Sequence, residues 1–445
     1  MRRIPALAVA LAIGVLGWWG PVGAENSPPP PPEPTPLESI FLPVKEYLKT
    51  APLPAFLTDT DLKVHFRTYY FNRTQTNDTP NEAWAFGGWI SYRSGLLLDT
   101  FSMGATFFGS APLYAPADRD GTLLLESGQT GYSVLGEAWG ALRYKDYAIL
   151  TGYRQQVTQT YINPQDNRMT PNTFEGVTLG GKVEWAQYLL GYLTAIKPRN
   201  VDEFIPMSQQ AGASGSHDGV VLGGVRLTPI KGLRIEASNQ YGINTFNTFY
   251  LEGEYLYELN KDWKLRFGAQ FTHQRAVGDA LVRNAASTYW KTQQGGARVQ
   301  ALYHDLVLTG AFSVTGSGNT IQSPWGTFPG YLSMIDFDFN QARQKAVLIG
   351  AAYDASTTIT QGLSGNVNFV WGWDAINPST RAKAPNQAEY DFTVDYRPVF
   401  TGPLLLRGIL QGLWFRARAA VLDQQDAKTT GYEFRLIINW DRDLI

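Results

Sequence analysis

From Asp61 to the end of the chain, apolar and polar residues alternate in segments of around ten residues. A period of two places successive side chains on opposite faces of a strand. In "DLKVHFRTYY", Leu62, Val64, Phe66 and Thr68 share one face, and Lys63, His65 and Arg67 the other. Trp263, Leu265, Phe267, Ala269 and Phe271 alternate with Lys264, Arg266, Gly268, Gln270 and Thr272. The same pattern sets Leu363, Val367, Phe369, Trp371 and Trp373 against Ser364, Asn366, Asn368 and Asp374. It recurs at 389–397, 412–421 and 432–440, and weaker candidates lie near 83–93, 95–107, 132–145, 146–157, 173–184, 187–198, 218–228, 231–243, 247–258, 287–302, 304–314 and 344–354. That makes about 18 strands, each long enough to cross a bilayer when tilted.

Composition decides between a soluble and a membrane β-protein. Charged residues are 17%, below the usual ~25%. Aromatics reach 13%, with 13 Trp and 23 Tyr, and past the N-terminus no apolar run is long enough for a spanning helix. A membrane chain without spanning helices must close its strands into a barrel, because an open edge would leave backbone groups unpaired in lipid. The aromatics at segment ends, "TYYF" (Thr68–Phe71), "WGW" (Trp371–Trp373) and Trp440, fit two interfacial girdles. The opposite face is charged, too polar for a dry core and suited to a water-filled lumen.

The N-terminus reads as an export signal. Arg2 and Arg3 precede an apolar stretch from Ile4 to Trp19, and "VGA" (Val22–Ala24) offers a cleavage site after Ala24. Its removal takes the net charge from −2 to −4 through the loss of the two arginines. A near-neutral chain has no bulk attraction for nucleic acid. There is no Cys, which excludes disulfides and any Cys-based metal or redox site. Residues 25–36 are Pro-rich and read as an extended periplasmic spacer. Residues 37–59 carry a short helical pattern broken by Pro43 and Pro52, read as a plug or cap, and 60–445 as the barrel.

Enzyme chemistry finds little support. "SHD" (Ser216, His217, Asp218) holds triad residue types, but sequence neighbours point to different sides and cannot form the relay. His65, His217, His273 and His304 show no metal spacing, and "TGSGNT" (Thr315–Thr320) lacks the Lys of a phosphate loop. No cofactor is expected. Asn72-Arg73-Thr74 is read as a turn at a strand end.

The inward charges are the informative set. Alternation turns Lys63, Arg67, Arg93, Arg143, Arg154, Arg234, Lys264, Arg266, Arg397, Arg416, Arg418 and Arg435 toward the lumen, with Glu137, Glu236, Asp391, Asp395 and Glu433 as acidic counterparts. Singly, such residues wet the wall and pair across strands. Together, a track of guanidiniums in a narrow channel attracts carboxylates and hands them along. We take Arg67, Arg93, Arg143, Arg154, Arg234, Lys264, Arg266, Arg416 and Arg418 as the guidance set.

Several stretches resemble the OprD-type family of outer-membrane porins. "LKVHFRTYYFNRT" looks like the family's first strand, and "DNRMTPNTFEGV" (Asp166–Val177) like its D-S-R-L-x-P-x-T-F-E-G signature. "KPRNVDEF", "ASNQYGINTFNTFYLEGEY" and the closing "DFTVDYR…GLWFRARAAV…GYEFRLIINW" are similar to later segments. The resemblance implies an 18-stranded antiparallel barrel in the bacterial outer membrane, with short periplasmic turns and long outer loops. It also implies one loop folded inward, a basic ladder, and passive entry of small carboxylate-bearing solutes. On it, residues 158–172 become the constriction loop, with Asp166 and Arg168 at the eyelet and Pro171 setting the return to the wall at Thr173. The polyproline leader and residues 37–59 depart from the family pattern, as does the ending "NWDRDLI", where Trp440 takes the terminal aromatic's place. The apolar outer face meets outer-membrane lipid and suits a monomer or a homotrimer. A general or sugar-type porin, and a non-channel barrel, are the competing readings.

Overall fold

The computed structural model describes residues 44, 46–47, 50, 52–283, 287–400 and 410–445. The export signal, the spacer and most of the 37–59 segment therefore lie outside the described residues. A four-residue helix, Ala55–Thr58, leads into the first strand.

Eighteen antiparallel strands form the wall. They are β1 (Asp61–Thr74), β2 (Pro80–Arg93), β3 (Phe101–Tyr114), β4 (Tyr132–Tyr144), β5 (Ala148–Gln155) and β6 (Thr173–Val183). Next come β7 (Ala186–Lys197), β8 (Val220–Leu227), β9 (Leu233–Gly242), β10 (Phe246–Glu258), β11 (Trp263–Ala276) and β12 (Lys291–Tyr303). The circuit ends with β13 (Leu306–Thr315), β14 (Lys345–Asp354), β15 (Leu363–Trp373), β16 (Gln387–Tyr396), β17 (Leu413–Gln424) and β18 (Gly431–Asp443). Ile205–Pro206 only bridges to β7, which pairs directly with β8. Each strand pairs with its sequence neighbours, and β18 returns to β1, from Lys63↔Asp443 to Thr74↔Tyr432. Closure leaves the wall without an unpaired edge.

Every expected strand forms. The largest boundary shift is in the 95–107 segment, which begins only at Phe101. Gly95 lies against the leading helix, where a Cβ would fall 2.0 Å from the Ala55 carbonyl oxygen. Leu98 and Asp99 then adopt positive φ, which turns the chain before pairing resumes.

Most connections at one end are short, as at 145–147, 184–185 and 304–305, and both termini of the barrel lie there. At the other end are the long loops 115–131, 156–172, 198–219 and 316–344. The outward face is apolar, with Phe86, Ile90, Phe107, Val367, Phe392 and Val394 all exposed. Trp371 and Trp373 stack at 4.7 Å near the long-loop end, as a girdle requires. "TYYF" divides differently: Tyr70 faces out beside Phe434, but Tyr69 and Phe71 are buried inside. Strand parity forces this, since both sit on the face of Arg67.

The inner face is less uniformly wet than its charges suggested. Val157, Ile162, Phe174, Leu193, Ile196, Met207, Phe246 and Trp325 form an apolar cluster between the wall and the long loops. Further clusters gather around Leu124, Leu125 and Met169, around Leu332 and Phe339, and around Tyr161 and Phe328. Buried loop backbone needs such support, because a loop away from water must satisfy its polar groups and cover its apolar ones.

Candidate functional site in the lumen

The alternation that builds the strands also builds the site. Residues 65, 67, 69, 71 and 73 of β1 face inward beside 435, 437 and 439 of β18, which pair with 418, 416 and 414 of β17. Arg67, Arg416, Arg418 and Arg435 thereby meet in one cleft, completed by Asp166, Asn167 and Arg168 from loop 156–172.

Arg67 is the anchor. Its Nε donates to Asn439 Oδ1 at 2.7 Å, and its two Nη groups reach Asp166 Oδ1 at 2.6 Å and Oδ2 at 3.2 Å. It also donates to the carbonyl of Arg168 and lies over Trp89 at 5.5 Å. A two-point carboxylate contact fixes orientation as well as attraction.

Phe71 explains how so many cations sit together. Arg168, Arg435 and Arg73 surround its buried ring at 5.0, 5.4 and 5.5 Å. The ring face offers negative quadrupole to each. Glu433 pairs with Arg435, and Asp336 with Arg73 at 2.8 Å. Arg416 is held by Asp395 at 2.7 Å, and Trp414 lies between Arg416 and Arg397, 4.6 Å from each.

Two guanidiniums have no such partner. Arg418 reaches only Thr393 Oγ1 at 3.4 Å, and Arg168 donates to the carbonyls of Thr122 and Asn167. Neither has a carboxylate within ion-pair distance among the described residues. Burial and the nearby Arg435 pull Arg168 down to about 10, so it stays charged at neutral pH.

Loop 156–172 leaves the wall and touches both sides of the barrel. Asp166 bonds to β1, while Tyr161 meets Thr272 of β11 at 2.8 Å and Gln159 accepts from Gln240 of β9 at 2.9 Å. Pro171 is buried where the loop returns, and the next strand opens at Thr173.

A second constellation lies on β8 to β12. Arg234 binds Glu254 at 2.6 Å, Glu252 at 3.0 Å and Glu236 at 3.1 Å. Arg226 takes Glu236 at 2.7 Å, and Arg298 takes Glu254. Arg266 reaches Gln300 at 3.3 Å, and Tyr331 of loop 316–344 donates to Glu252 at 2.9 Å. Here Arg226, Arg234 and Arg298 are bound by carboxylates, and Arg266 meets an amide.

The remaining expected residues are spread out. Arg93 lies over Trp139 at 5.8 Å, and Lys264 stands 3.6 Å from Glu258, both toward the short-turn end. Arg143 is exposed there, its backbone N–H bonded to the Thr100 carbonyl. Arg154 does not face the lumen. It pairs in register with Ala138 and Glu175, on the side of exposed Leu142, Leu150 and Val177. Glu175 lies 3.6 Å away and Phe204 covers the guanidinium at 4.2 Å. No register shift separates Arg154 from Leu150, so alternation counted from the exposed Leu150 already turns Arg154 outward.

Sequence reading also missed Arg73, Arg226, Arg298, the inward Trp89, Trp139 and Trp414, and loop 316–344. Continuing the period from Arg67 to Arg73 would have found the first, in place of the turn read there. The Trp residues carry no sequence mark beyond strand parity. Loop 316–344 is fixed by the wall: its Asp336 and Phe337 N–H groups donate to Glu389, and that of Ile335 to Asp391.

A closed barrel with an apolar outer belt and a polar, loop-lined interior defines an outer-membrane channel. The model of the OprD family, described as outer membrane porins, matches residues 54–444, and the chain belongs to that family. It is thus a passive channel of the bacterial outer membrane, not an enzyme. The structure of OccK9 (OpdG) from Pseudomonas aeruginosa is similar at TM-score 0.77 and 19% identity, over 88% of this chain and 100% of that one. That of OpdK from the same organism, with vanillate, gives 0.74 at 18% identity, over 87% and 100%. A BenF-like porin from Pseudomonas fluorescens Pf-5 gives 0.77 at 17%, over 87% and 100%. No curated protein matches the chain.

Proposed function

We propose that this porin admits small carboxylate-bearing solutes, guided by the arginine track of β1, β17 and β18 and narrowed by loop 156–172. The observation that carries the reading is the state of Arg418 and Arg168. Both face the cleft without a carboxylate of their own, whereas Arg234 is bound to three. A guanidinium in a confined, partly desolvated site gains most from an anion that arrives to share it. Arg67 and Asp166 hold the loop edge beside that site. The similar OpdK structure is one with vanillate, an aromatic carboxylate, which accords with this solute class. The inward Trp89 and Trp414 do not favour a sugar track, since His65, Arg67, Arg397 and Arg416 occupy their faces.

The test is uptake of labelled benzoate and of neutral benzamide into proteoliposomes. Benzoate is expected to enter faster. Arg418→Gln should lower the anion's rate several-fold, leave the amide unchanged and keep the barrel heat-modifiable. Equal rates for the two solutes in the unaltered protein would overturn the reading.

A further inference from the structure

We infer that the outer wall carries a glycolipid-binding groove at the extracellular end of β15 to β17, built to receive a sugar ring. The groove exists because of register. Ala388 of β16 stands between Trp371 of β15 and Asp423 of β17, its two cross-strand partners on the outward face. A methyl group between two large side chains leaves a trench. Its volume is about 620 Å³, and it is open along the outer face. Tyr390 closes one end, and Asn386 and Gln425 flank the other.

The walls are preset. Trp371 stacks on Trp373 at 4.7 Å and Tyr390 packs tilted against Phe369 at 4.7 Å, so neither ring has to be ordered on binding. Below the groove the outward residues are purely apolar, as at Val367, Phe392 and Val394. The groove therefore begins where the hydrocarbon belt ends, at the level of lipid headgroups.

Its chemistry selects the occupant. An acyl chain would have no use for Asn386, Gln425 and Asp423. A phosphate would find no Lys or Arg among the lining residues and would meet the Asp423 carboxylate. Aromatic faces beside amide and carboxylate acceptors match a pyranose, which presents C–H groups on one side and hydroxyls at its edge. Asn386 Oδ1 is moreover buried without a hydrogen-bond partner. The outer leaflet of a bacterial outer membrane presents such sugars on its glycolipid, held against the wall at this height.

The experiment measures binding of purified lipopolysaccharide to the detergent-solubilised barrel, with its deacylated oligosaccharide and a phospholipid as comparison probes. Lipopolysaccharide and the oligosaccharide should both bind, and the phospholipid should not compete. Ala388→Trp, which fills the trench on the lipid side, should weaken both at least tenfold and leave channel conductance unchanged. Asn386→Ala adds no bulk and should weaken the oligosaccharide several-fold, which keeps the test intact if the larger residue hinders folding. Undiminished binding in both variants, or equal competition by phospholipid, would overturn the inference.

Discussion

Arg67 shows how one side chain joins wall and loop. It is 5% exposed, and its donors are distributed among Asn439 of the wall and Asp166 and Arg168 of the loop. Removing it leaves these acceptors facing a void, at about 1–3 kcal/mol for each that water cannot reach. The barrel's backbone pairing does not depend on it. Arg67→Ala is therefore expected to free loop 156–172 while the wall persists. Single-channel recordings should show larger conductance with added noise, and limited proteolysis should cut the loop sooner. An unchanged conductance would mean that Tyr161 and Gln159 suffice to hold the loop. Arg67 was legible from alternation alone, but its tie to Asp166, far along the chain, was not.

At the scale of an element, loop 316–344 is the clearest surprise. Its sequence reads as ordinary loop, yet its backbone N–H groups dock on Glu389 and Asp391, and Arg435 donates to the Ile335 carbonyl at 3.1 Å. Asp338 adds pH dependence. Burial, opposed by a hydrogen bond from Ser333, with neighbouring Asp336 adding to it, pushes its carboxyl up to about 6. A carboxyl raised from its ordinary value near 3.8 favours the docked loop in its protonated form. That contribution is complete below about pH 3.8 and is lost as the pH rises through about 6. Backbone amides of 331–339 should then exchange more slowly at pH 5 than at pH 7, after correction for intrinsic rates. Asp338→Asn should remove that difference. The strands, by contrast, were nearly all legible, because a half-buried strand writes its two environments into alternate residues.

At the scale of the whole molecule, charge is segregated around the lumen. Arg418 of β17 and Arg168 of loop 156–172 stand without a carboxylate, while on β8 to β12 every guanidinium of the cluster but Arg266 is bound by one. Attraction over such distances is screened by salt, with a Debye length of about 10 Å at 0.1 M and 3 Å at 1 M. The anion preference proposed for the channel, read from reversal potentials, is expected to shrink as KCl is raised from about 0.1 to 1 M. A preference that holds across that range would assign selectivity to pore dimensions.

The sequence by itself determined the closed barrel, its strand count and most of the inward charges. Lipid on one side and water on the other act on every second residue, so that information is local. It also marked Asp166, Arg168 and Pro171 as a loop through a family signature. Only the tertiary structure decided which charges meet. Arg234 was absorbed by three carboxylates from its own strand and the next, and Arg418 was left without one. Those outcomes depend on cross-strand register and on where long loops fall back into the barrel. Neither is written in any single stretch of ten residues, because each is set by closure of the whole wall.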